Sequence, residues 1–182
     1  MKKKKSDLEK EKKTPDYDSA WKEMIEKHYE PFLEFFFQDI HQDIDFSKKP
    51  EILSKELRKI APDSKVGQRF SDVLLKLHLK GGFTRLVCIF VHVEVQGKRV
   101  SNFMERIFVY FYRIFDKYRE EGSEVISVAI LTDEDENYRP DEYSFSRWGF
   151  DLRLKIPIVK IIDFKNKEKY RKKLENSTNP WR

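Results

Sequence analysis

The segment Thr84 to Gln96 is apolar on both of its strand faces, and this restricts the fold more than any other feature of the chain. A strand of that kind must be covered on both sides, which places it at the centre of a sheet flanked by helices. Its end reads Phe90-Val91-His92-Val93-Glu94-Val95-Gln96, so a carboxylate stands inside the apolar run. A preceding run, Arg69 to Leu79, alternates as a strand does and carries Asp72 near its start. A carboxylate at the middle of a sheet costs several kcal/mol unless a cation or a good hydrogen-bond partner meets it.

Two carboxylates on neighbouring strands suggest a divalent metal site. Residues two apart on a strand share a face, so Glu94 and Gln96 project together, about 7 Å apart. Asp72 shares a face with Leu74, Lys76 and His78. The hairpin register decides whether it meets Glu94. A two-residue Gly81-Gly82 turn sets Asp72 opposite Val91 and sends the carboxylates to opposite faces. A loop of three or five residues, or one β-bulge, puts them on the same face. In one such register Asp72 faces His92 and lies diagonal to Glu94, within about 8 Å at Cβ. The metal reading therefore requires that the hairpin is not a plain two-residue turn.

Mg2+ prefers oxygen ligands and keeps several waters. Held by Asp72 and Glu94 it polarises a phosphoryl oxygen and acidifies a bound water, with Gln96 placed to orient that water. The chemistry is phosphodiester hydrolysis. A strand-end Asp and a partly buried Glu also serve as plain structural hydrogen-bond acceptors, and the residues alone leave both readings open.

The rest of the chain is consistent with one α/β domain. With 182 residues, fifteen Phe, eight Tyr and three Trp, it has ample apolar area for a core. The single cysteine excludes an internal disulfide, and no run is apolar enough for a membrane span or signal peptide, so a cytoplasmic protein is expected. Of the net charge of +5, residues 1–13 carry +4 and residues 164–182 carry +5, which leaves −4 for the body. Basic ends suit nucleic-acid binding and also suit solubilising termini. The expected organisation is a charged lead at 1–15, a domain at 16–164 and a basic tail at 165–182.

Within the domain, Trp21, Met24, Ile25, His28, Phe32 and Phe36 recur at helical spacing, with Asp18 or Ser19 as cap and Pro31 as a kink or break. Residues 38–50 read as loop, and Leu53 to Ile60 as short helix or strand. A second helix spans Phe103 to Arg119, its buried face made by Phe103, Ile107, Phe111, Ile114, Phe115 and Tyr118. Val125 to Leu131 is a buried strand. One or two strands follow in 144–164, with Pro157 at an edge or bulge. On the second helix Arg106, Arg113 and Lys117 lie within about 40° of one another, as a phosphate-contacting stripe or a solvated flank. Glu26 flanks the first helix's apolar arc, Asp133 to Glu136 reads as a solvated acidic loop or a cation trap, and His92 as a group beside the site.

Asp72, the Glu94-Val95-Gln96 triplet and the helix Asn102 to Arg113 together resemble the PD-(D/E)XK nuclease family of transposase-like proteins, also called the recombination-promoting nuclease/putative transposase family. Trp21 to Phe37, Ala129-Ile130-Leu131-Thr132-Asp133 and Trp148 to Asp163 share the resemblance, which covers roughly residues 16–180. It implies a restriction-endonuclease-like αβββαβ core with a central mixed sheet flanked by helices, and Mg2+-dependent cleavage of DNA. Asp72 matches the metal-binding aspartate and Glu94 the second acidic residue. Gln96 stands where the wider superfamily usually has lysine, a replacement common in this branch. The upstream Pro62-Asp63 pair is the less suitable match, because it precedes the strand. Similar chains continue past a segment like Glu175-Asn176-Ser177-Thr178-Asn179-Pro180, so a C-terminally shortened member is expected. The rivals are a catalytically silent DNA-binding remnant and a protein-interaction or homo-oligomer module built on the aromatic second helix.

Overall fold

The computed structural model describes residues 17–60, 72–81, 88–97, 99–121 and 123–165, with the backbone alone at 17–19, 58, 88–96, 121 and 165. The basic lead, Pro62-Asp63, Gly82 and the segment from Glu175 lie outside these residues. The fold is mixed α/β. A five-stranded sheet has the order β1-β2-β3-β4-β7, with β1 at Glu51–Ile52, β2 at Val73–His78, β3 at Cys88–Gln96, β4 at Glu124–Leu131 and β7 at Ile158–Lys160. The strand that is apolar on both faces, β3, is the middle one. Its partner β2 is antiparallel, whereas β4 and β7 run parallel. Parallel neighbours need a crossover, supplied between β3 and β4 by α5, Phe103–Tyr118.

Alternation along the strands divides the core into two layers. Val73, Leu75 and Leu77 of β2 and Val128 and Ile130 of β4 pack with Ile25, Phe32 and Leu33. These last come from α1, Tyr17–Lys27, and α2, Tyr29–Phe36. On the other face Ala129 and Leu131 meet Phe103, Met104 and Ile107 of α5, and Leu74 meets Ile114 and Tyr118. The first helical stretch is divided, as Pro31 foretells, but at His28. Pro31 falls in the first turn of α2, where a missing N–H leaves no intrahelical bond unmade.

Two expectations are corrected and one alternative is resolved. The stretch 38–50 contains a short helix, α3, Gln38–Asp43, and then Ile44, 1 % exposed, bridges to Leu79. Leu53 to Ile60 resolves as helix α4, Ser54–Ile60, just after the two-residue β1. The buried face of α5 is rotated from the one expected. Met104, Arg106 and Tyr110 join Phe103, Ile107, Ile114 and Tyr118 inside, while Phe111 is half-buried and Phe115 is 43 % exposed.

The region after β4 holds three strands. Among the described residues β5, Glu142–Arg147, and β6, Phe150–Lys155, pair only with each other, in a hairpin apart from the main sheet. Its turn is Trp148-Gly149, with φ 53° and 84°. Positive φ at both central residues marks a type I′ turn, whose twist matches the strands it joins. Tyr143 of β5 stacks on Phe108 of α5 at 5.0 Å, which seats the hairpin on that helix. Pro157 stands just before β7, the edge strand, where its carbonyl accepts from Ala129 N at 3.0 Å. No helix among the described residues is long and apolar enough to cross a membrane.

Candidate metal centre at the carboxyl edge of the sheet

The β2–β3 register brings the two strand carboxylates to one place. Leu74 pairs with His92 and Val73 with Val93, so the same register continued by one residue sets Asp72 across from Glu94. The parity is the one a shared face requires, and the alignment lies two residues beyond the Asp72–His92 pairing. His78 pairs with Cys88, an offset that excludes a plain two-residue turn at Gly81-Gly82.

Asp72 leads into β2 with a partly buried side chain, and its Oδ1 is buried without a hydrogen-bond partner. An unpaired buried acceptor of this kind carries the full cost of its lost hydration. A cation at this point removes that cost. The side chains of Glu94 and Gln96 lie outside the described residues, and register alone places them. Glu94 aligns with Ala129, and Gln96 with Leu131, at the carboxyl end of the parallel strands. Open α/β sheets bind ligands at that edge. Among the described residues no three of His, Cys, Asp and Glu gather as a metal-holding group.

The same edge holds a charged cluster that reading the sequence missed. Lys160 of β7 aligns with Leu131, in the row of Gln96. It is 1 % exposed. Its Nζ donates to Asp133 Oδ1 at 2.8 Å and to the Tyr138 carbonyl at 3.0 Å. Asp133 is therefore no member of a solvated loop. It is buried, its Oδ1 also accepts from Asp135 N, and its Oδ2 is buried without a hydrogen-bond partner. Tyr138 in turn donates its hydroxyl to the Val100 carbonyl at 2.9 Å and accepts from Val100 N at 3.3 Å. Burial pushes the Tyr138 phenol up from its ordinary pKa. Lys160 interrupts the apolar run Ile158-Val159-Lys160-Ile161-Ile162, the same signal that marks Asp72 and Glu94.

The cations of α5 occupy three environments. Arg106 is 7 % exposed, with its guanidinium 5.6 Å from the centre of the Phe103 ring. Arg113 is half-buried and donates to the Ile60 carbonyl at 3.4 Å. Lys117 is exposed, with Nζ 5.1 Å from the centre of the Tyr118 ring. Glu26 lies 3.8 Å from Lys22 on α1, whose core residue Ile25 packs on the opposite sheet face.

No family model, no curated protein and no solved structure matches this chain.

Proposed function

We propose that the chain is a divalent-metal-dependent DNA endonuclease of the PD-(D/E)XK, transposase-related type, with a restriction-endonuclease-like core. The observation that carries the reading is Asp72, whose buried Oδ1 lacks a partner at the point where the strand register delivers Glu94. The order of helix, strand, strand, strand, crossover helix and strand supports it, with the short helix α4 inserted between the first two strands. Asp72 and Glu94 hold the ion, preferably Mg2+. When bound, the ion supplies Lewis-acid polarisation of a phosphoryl oxygen and a more acidic water. Gln96, two residues beyond Glu94, orients the attacking water through its amide. Arg113 and Lys117 contact the DNA backbone, and Arg106 adds positive potential from inside the α5 layer.

Lys160 does not stand in for a lysine at Gln96. Two strand spacings separate their backbones, about 10 Å, and its ammonium is committed to Asp133.

The test is nicking of supercoiled plasmid with Mg2+ by the wild type, Asp72→Ala and Glu94→Ala. Activity lost in both variants is the expected outcome. Equal activity in all three refutes the site. A folded wild type that binds DNA without nicking it identifies the silent remnant, whose binding weakens steeply as salt rises.

A second reading rests on the outer face of α5, where Val109, Tyr112 and Phe115 are 36 %, 55 % and 43 % exposed. An apolar stripe of this kind suits a homo-oligomer contact. A concentration-dependent mass in sedimentation, lost in Tyr112→Glu, supports it. A monomer at all concentrations refutes it.

A further inference from the structure

The tip of the β5–β6 hairpin combines an unfavourable backbone with an exposed aromatic side chain. Trp148 takes φ 53° and is 92 % exposed. A bulky side chain in the left-handed region is an outlier, and the first position of a type I′ turn is ordinarily Asn, Asp or Gly. With the indole almost wholly in solvent, burial does not offset that choice. Strain of this kind gathers where a residue must meet a ligand.

The surroundings specify the ligand. Register puts Tyr143, Phe145, Arg147, Phe150, Leu152 and Leu154 on one face of the hairpin and Ser144, Ser146, Asp151 and Arg153 on the other. Phe145 and Phe150 are 49 % and 57 % exposed, with their rings 6.0 Å apart. Arg147 is the one charge on this aromatic face, its guanidinium 4.4 Å from the centre of the Trp148 ring. The acids near the hairpin base already have cations, Glu142 with Arg153 at 2.7 Å and Asp141 with Lys155 at 3.6 Å. A cationic, aromatic tip with no acid on its face suits a ligand that is both anionic and flat. An unstacked nucleotide is such a ligand, since every base offers a π-face and every linkage a phosphate.

We propose that the β5–β6 tip binds unpaired DNA, with Trp148 stacked on a base and Arg147 at the adjoining phosphate. The choice of DNA as ligand rests on the nuclease reading, which the hairpin extends to a substrate with an unpaired strand. Because Phe108 and Tyr143 stack, the base of the hairpin is held on α5, the helix that leaves the carboxyl edge of the sheet.

The experiment is fluorescence anisotropy with a labelled oligothymidine and a matched duplex, in EDTA so that no cleavage intervenes. The proteins are the wild type, Trp148→Asn and Arg147→Ala. Trp148→Asn restores the favoured Asn-Gly turn, so it keeps the fold and raises Tm by roughly 2–4 °C. The expected result is a roughly tenfold loss of oligothymidine affinity in Trp148→Asn, and little change with duplex. Affinity equal to wild type in both variants overturns the proposal. So does a wild type that binds no oligothymidine, or a Trp148→Asn that disperses a dimer and leaves binding intact. Trp148-dependent binding by a protein that never nicks plasmid keeps the hairpin assignment and sinks the nuclease. Nicking that needs Asp72 with binding indifferent to Trp148 does the reverse.

Discussion

Lys160 and Asp133 form an ion pair of 2.8 Å in which both side chains are enclosed, at 0 % and 7 % exposure. Removing one partner strands the other's charge in a poorly solvated place. Lys160→Met should therefore cost about 3–5 kcal/mol. Adding Asp133→Asn removes the stranded charge and keeps an oxygen for Asp135 N, so the double variant should recover much of that loss. Urea unfolding checks both. A double variant as unstable as the single one would show that charge burial is not what the pair resolves.

An exposed pair gives the contrast. Arg139 grips Asp163 with two bonds, 2.8 and 2.7 Å, joining the loop after β4 to α6, Ile162–Lys165. Both side chains are well hydrated, at 47 % and 36 % exposure. Arg139→Ala should cost less than about 1 kcal/mol despite the better geometry. A loss as large as that of Lys160→Met would mean that α6 needs this anchor to dock.

Asp72→Asn tests the metal site through stability. If Asp72 and Glu94 repel each other without metal, the variant should melt higher than the wild type in EDTA. It should also lose stabilisation by Mg2+, which for the wild type at about 100 times Kd amounts to about 2.7 kcal/mol. Undiminished Mg2+ stabilisation in the variant would remove Asp72 from the ligand set. Differential scanning calorimetry with and without Mg2+ makes the comparison.

Tyr138 ties fold stability to alkaline pH. Burial favours its neutral phenol in the folded state and so raises the folded pKa above the unfolded one. That contribution is complete below the unfolded tyrosine pKa of about 10, and it is lost as pH rises through the higher folded value. Tyr138→Phe should cost about 1–2 kcal/mol at neutral pH, because the Val100 N–H and carbonyl lose their partner. It should also flatten the decline above pH 10. Denaturation midpoints across that range, compared with wild type, decide it.

Long apolar runs made the frame of this fold legible. β3 and β4 announce themselves because hydrophobic residues occupy both faces, and the α5 limits follow from helical spacing. Register was legible only in parity. The residues show which faces must coincide, whereas the offset depends on a connection whose geometry no pattern in Gly81-Gly82 specifies. The phase of α5 was misjudged because Phe115 looks more apolar than Arg106, yet Arg106 is buried beside Phe103. Asp133 was hidden by its neighbours Glu134 and Glu136, which are exposed and give the loop its solvated look. Only the buried cation on a strand far along the chain distinguishes it.

The main sheet ends in two very short strands, β1 with two residues and β7 with three, the latter preceded by Pro157. Each border thus offers a newcomer only a few backbone groups to pair with. A sheet so bounded resists growth by strand addition, the usual route from a native fold to fibrils. Assembly through the borders of this sheet must therefore rely on side chains, which single substitutions should be able to erase.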